Sequence, residues 1–108
     1  MPDLKEEVPK LIRSFANKIA DDMFHKGKNK SLPRKHWQRA IDLLDVMEAV
    51  ESLEDLKHRG HPPSVRLHQL KGKRSQEWAI DIHKTDGWRI TFKFVEKEFT
   101  DVKIEDYH

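Results

Sequence analysis

The 108-residue chain contains no cysteine, which excludes a disulfide framework, a thiolate metal site and a cysteine nucleophile. Glycine and proline are scarce, at four and five residues, so no Gly-rich phosphate loop and no proline-rich tract are present. No apolar run approaches the roughly 20 residues that a membrane helix needs. The first fifteen residues carry acids and prolines where an export signal would have a basic start and an apolar stretch, so a soluble, cytoplasmic protein is expected. Net charge is only +2, too small by itself to argue for a polyanionic partner.

What is present is an uneven distribution of charge. Residues 26–39 hold Lys26, Lys28, Lys30, Arg34, Lys35 and Arg39 with no acid, and residues 42–55 hold six acids with no base. Residues 57–74 are basic again and contain three histidines. A charge run is ordinarily a solvated face, but the last segment also has the composition of a surface that meets phosphate.

The hydrophobic pattern divides the chain in two. Residues 1–10 read as an N-terminal extension and 11–108 as one domain. A short strand is expected over 10–15 and a helix over 16–25. A longer helix is expected with Ser31 as N-cap and with Trp37, Ala40, Ile41, Leu44, Met47 and Val50 on one face. Ser52 followed by Asp55 predicts the capped start of another helix, stopped by Gly60 and Pro62-Pro63. Beyond Pro63 the period falls to 2, predicting strands over 65–70, 77–83, 88–95 and 99–105, with a turn at Asp86-Gly87. The sum is an α+β fold, N-terminal helices packed on one face of an antiparallel sheet, with Trp37, Trp78 and Trp88 in the core.

Two histidines stand out chemically. His68 lies in Arg66-Leu67-His68-Gln69-Leu70-Lys71-Gly72, where alternation puts Arg66 and His68 on the face opposite Val65 and Leu67 and leaves Lys71 at the strand end. A charged edge strand would look similar. The chain ends Glu105-Asp106-Tyr107-His108, offering an acceptor, a ring and a proton carrier. Imidazoles titrate near neutrality, so two of them can divide base and acid duties. His58-x-x-His61 has tolerable metal spacing, but the two prolines that follow and the lack of a nearby carboxylate argue against it, so no metal or cofactor is expected.

The segment R-L-H-Q-L-K-G at 66–72, Trp78 with Ile80 and Ile82, W-R-I-T-F-K-F at 88–94 and the terminal D-Y-H together resemble the HigB toxins of the RelE/ParE superfamily of type II toxin–antitoxin systems. I-R-S-F at 12–15 and L-E-D-L at 53–56 extend the match upstream. The resemblance implies a microbial-RNase-like fold and a ribosome-dependent endoribonuclease that cuts mRNA in the A site. It also implies a helix-turn-helix antitoxin of the HigA kind, through which alone operator DNA would be met. By position, the catalytic set falls on His68, Lys71, Asp106, Tyr107 and His108. Arg89 would hold the scissile phosphate, with Arg66, Lys73 and Arg74 along the RNA path. For Arg89 the competing assignment is a cross-strand ion pair. The chain departs from the family in its N-terminal extension, a longer hairpin between Trp78 and Trp88, and Lys73 where an acid is common. The main alternative of another class is a ParE-like toxin that poisons DNA gyrase without cutting RNA; a third is an inactive regulatory member of the fold.

Overall fold

The computed structural model describes residues 12–50, 52–59, 66–83 and 85–107. Helix α1 spans Lys18–His25 and is capped by Asn17, whose Oδ1 accepts the Ala20 N–H at 3.0 Å. The Asn17 amide also donates to the Ile104 carbonyl at 2.8 Å, so the cap fastens the helix to the last strand. Gly27, at φ +76°, ends the helix in the left-handed conformation that favours glycine.

The longer helix starts differently from expectation. Ser31 does not cap it; its N–H instead donates to Asn29 Oδ1 at 2.8 Å. Pro33 is extended, a 3-10 turn follows at Arg34–His36, and α2 proper runs Trp37–Ala49. The Trp37 indole donates to the Leu32 carbonyl at 2.8 Å and thereby fixes this tighter entry. Ala40, Leu43, Leu44 and Met47 are buried along α2. Helix α3, Leu53–Arg59, begins where Ser52 Oγ accepts the Asp55 N–H at 3.0 Å, as the capping pattern predicts. The stop at Gly60 and Pro62-Pro63, and His61, lie outside the described residues.

The sheet is an antiparallel meander in the order β1-β2-β3-β4: His68–Gln69, Trp78–Asp81, Trp88–Val95 and Glu98–Asp106. β3 has the expected bounds, while β1 is much shorter than expected; a second 3-10 turn follows it at Gly72–Arg74. The strand expected over 10–15 is not a member of the sheet. Among the described residues it makes two parallel bridges to β4, Ile12 with Phe99 and Phe15 with Val102, before α1 begins. In the core, Ile80, Ile90, Phe92, Phe99, Val102 and Ile104 pack beneath Ala20, Met23, Leu32, Leu43, Leu44 and Met47. The three tryptophans are partly buried against this cluster. No described helix is long and apolar enough to cross a membrane.

β4 contains a bulge. Thr91 pairs with Lys103 and Lys93 with Thr100, so two steps on β3 face three on β4. Asp101 takes φ +52° to accommodate the extra residue, and its N–H donates to Ser14 Oγ at 2.9 Å. The bulge shifts the phase of alternation, placing Phe99, Val102 and Ile104 all in the core and leaving Lys103 and Glu105 on the other face.

Candidate active site

Cross-strand partners point to the same side of a sheet. Because Trp78, Ile80, Ile90 and Phe92 face the helices, the row His68, Ala79, Thr91 and Lys103 faces away from them, with Asp81, Arg89 and Glu105 as the next row. Ala79 and Thr91 form a floor of small, fully buried side chains. Among the described residues the Thr91 hydroxyl has no hydrogen-bond partner, an uncommon state for a buried polar atom.

Two guanidinium groups meet on one carboxylate above this face. Arg89 donates to Glu105 Oε2 from Nε at 2.9 Å and from Nη2 at 2.8 Å. Arg74 reaches the same carboxylate from the 3-10 turn after β1, through Nη1 at 2.9 Å and Nη2 at 3.3 Å. Its other edge binds Glu77 at 2.7 and 3.0 Å. Burial pushes the Glu105 carboxyl up, but the hydrogen bonds and charges of Arg74 and Arg89 outweigh it and hold the group below the usual glutamate range. Glu77 is lowered by its bonds to Arg74, and Arg74 is raised by Glu77 and Glu105. The Tyr107 ring lies against the Arg89 guanidinium, 4.6 Å from centroid to Cζ, while remaining half-exposed.

The other expected residues are more widely spread, and Asp106, paired with Trp88, falls on the helix side of the sheet, the face opposite His68 and Arg89. His68 is half-buried, and its Nδ1 lies 2.8 Å from the Arg66 carbonyl. A carbonyl can only accept, so Nδ1 carries the proton and the neutral ring has its lone pair on Nε2. At ordinary sheet spacings His68 and Arg89 are roughly 12 Å apart at Cα, and the Arg89 guanidinium is turned toward Glu105 on β4. Arg66 is paired with Asp81 at 3.2 Å. Lys71 and Lys73 are exposed on the turn that follows β1. Asp106 is exposed and pairs across from Trp88, and the Tyr107 N–H is bound to the Gly87 carbonyl at 3.1 Å. His108 and Val65 lie outside the described residues.

The structure thus brings Arg74, Arg89 and Tyr107 together around Glu105, with His68 on the same face one row away. Sequence reasoning did not single out Glu77, Thr91 or Lys103. The polar positions alternating with apolar ones in β2, β3 and β4 were the available signal, but the partners depend on the bulge. Arg89 is in a cross-strand ion pair, the arrangement weighed above as the competing assignment for it.

Helices on one side of a four-stranded meander and a cationic, carboxylate-ordered face on the other define an α+β fold of the RelE kind. Residues 13–108 match the family described as the RelE-like toxin HigB of type II toxin–antitoxin systems, and the chain belongs to that family. It is 31% identical over 98 residues to the Endoribonuclease HigB of Proteus vulgaris, an alignment covering 91% of this chain and all of that protein. A toxin of a type II system has an antitoxin as its partner.

Proposed function

We propose that this chain is the endoribonuclease toxin of its system, cutting messenger RNA in the ribosomal A site by metal-independent attack of a ribose 2′-hydroxyl on the adjacent phosphodiester. The observation that carries this reading is the placement of His68, whose Nδ1 lies 2.8 Å from the Arg66 carbonyl and which shares a sheet face with two guanidinium groups. The activity in the relative's name supports it.

In this mechanism one imidazole removes the 2′-hydroxyl proton, O2′ forms a bond to phosphorus, and the bond to the 5′-oxygen breaks as that oxygen takes a proton from an acid. His68 serves as one proton carrier and His108 as the other. Arg89 commits its Nε–Nη2 edge to Glu105, so the phosphate meets the remaining Nη1 edge, and Lys71 adds charge to the phosphorane. Tyr107 supplies a ring on which a nucleotide stacks, and Asp106 orients an imidazole. The basic runs at 26–39 and 57–74 grip ribosomal RNA through phosphate contacts, and Arg66, Lys73 and Arg74 border the message. The domain is taken as 11–108, the antitoxin as a helix-turn-helix protein, and the compartment as the cytoplasm.

Induction of the wild type, His68→Ala and His108→Ala, with message ends mapped by primer extension, tests the reading. Codon-phased cuts are expected with the wild type and a loss of roughly 10²- to 10⁴-fold in each variant. Intact message together with inhibited supercoiling would replace it with a gyrase-poisoning toxin.

A further inference from the structure

A second cluster of titratable side chains lies where the 3-10 turn before α2 meets the β2–β3 loop. His36 is 3% exposed, and its Nε2 is 2.8 Å from Asp86 Oδ2. His83 stacks on it with ring centroids 4.9 Å apart, and His83 Nδ1 lies 3.6 Å from Asp86 Oδ1. One donor atom from each of the three residues falls within 4.8 Å of the other two. The cluster opens on a cavity of about 470 Å³ whose lining includes Lys35, His36, Arg39, Asp81 and His83, so an ion has a route in.

We propose that His36, His83 and Asp86 form a binding site for a single Zn²⁺ ion. Two imidazole nitrogens and one carboxylate oxygen make a borderline donor set that suits Zn²⁺ and leaves a fourth position for water, whereas Mg²⁺ and Ca²⁺ want oxygen ligands. The ion takes the place of the proton now shared between His36 Nε2 and Asp86. Among the described residues, His83 Nδ1 is held by hydrogen bonds to the Asp86 N–H at 3.1 Å and the Thr85 hydroxyl at 3.2 Å. Its side chain is 46% exposed, which lets the ring turn toward the ion.

Among the described residues, two cations oppose the ion. The Lys35 ammonium is 3.3 Å from Asp86 Oδ2, but its side chain is 71% exposed and swings into water when displaced. The Arg39 guanidinium borders the cavity and remains, which weakens the site without removing a ligand. The bound ion would clamp the entry of α2 to the hairpin that carries Arg89, a structural role separate from RNA cleavage.

The full chain, stripped with a chelator, is titrated with Zn²⁺ and followed by calorimetry and thermal unfolding, and Co²⁺ is used as a spectroscopic probe. One ion per chain, a raised unfolding midpoint and a visible Co²⁺ band are expected, with no response to Mg²⁺. His83→Asn should weaken binding by more than the roughly 10-fold that loss of an outer-shell partner causes, and abolish the Co²⁺ band, while His25→Asn leaves both unchanged. Because His83 is exposed, its variant keeps the fold, and the Co²⁺ band reports ligation independently of stability. Absence of saturable Zn²⁺ binding, or binding undiminished in His83→Asn, overturns the site.

Discussion

The two faces of this sheet are built from the same strands and serve opposite ends. Toward the helices, Ile80, Ile90, Phe92 and Ile104 are large, apolar and fully buried. Toward the other side, one residue out of step, lie Ala79, Thr91, Arg89 and Glu105, small at the centre and charged around it. The difference shows how a small chain separates stability from chemistry: one face supplies the buried apolar area, and the other carries clustered guanidiniums and carboxylates that a core would not tolerate.

Adjacent positions test this separation. Phe92→Ala, on the helical side, should cost about 3–5 kcal/mol in denaturant unfolding through a lost ring and the cavity left behind. A smaller loss would mean the two sides share the work of stability.

Glu105→Ala comes next. It leaves Arg74 and Arg89 without their common acceptor, and because both are partly exposed the loss should be about 1–3 kcal/mol, below that for a fully buried pair. RNA cleavage should fall with it as the two guanidiniums separate, and Glu105→Gln should restore part of both. Glu105 and Glu77 have folded pKa values below the ordinary one. Their contribution is therefore complete above the unfolded glutamate pKa of about 4.3 and is lost as pH falls through the folded values. Acid unfolding curves should be shallower for Glu105→Gln than for the wild type.

The smallest effect belongs to Thr91→Val. Removing a buried hydroxyl that has no partner among the described residues, while conserving shape, should be neutral or stabilising by up to about 1 kcal/mol. A clear destabilisation would show that the hydroxyl has a partner on the open face after all.

The division into helices and meander was legible because the hydrophobic period changes once, near Pro63. β3 was readable to the residue because Trp88, Ile90, Phe92 and Phe94 alternate without interruption after Gly87, which takes φ +84°. β4 was not. Unbroken alternation from Phe99 would send Glu105 into the core with it, and only the extra residue at Asp101 turns that carboxylate toward the arginines. Asp101 adopts its left-handed conformation in the context of Ser14, a neighbour distant in sequence that local propensity does not reveal. For the same reason the basic stretch at 57–74 could be assigned to phosphate binding, but not the binding of Arg66 to Asp81 or of Arg74 to Glu105. Ser31 misled because the Trp37 indole bond to Leu32 imposes a tighter turn than a side-chain cap would.

Arg74 and Glu105 are 31 positions apart, and their contact spans the width of the sheet. Every intervening strand must be zipped in its final register before this contact can close, so the cationic face is among the last features the folding chain acquires. Fraying of β4 alone would dissolve it while the β2–β3 hairpin survived, making the surface a sensitive gauge of whether the whole meander is intact.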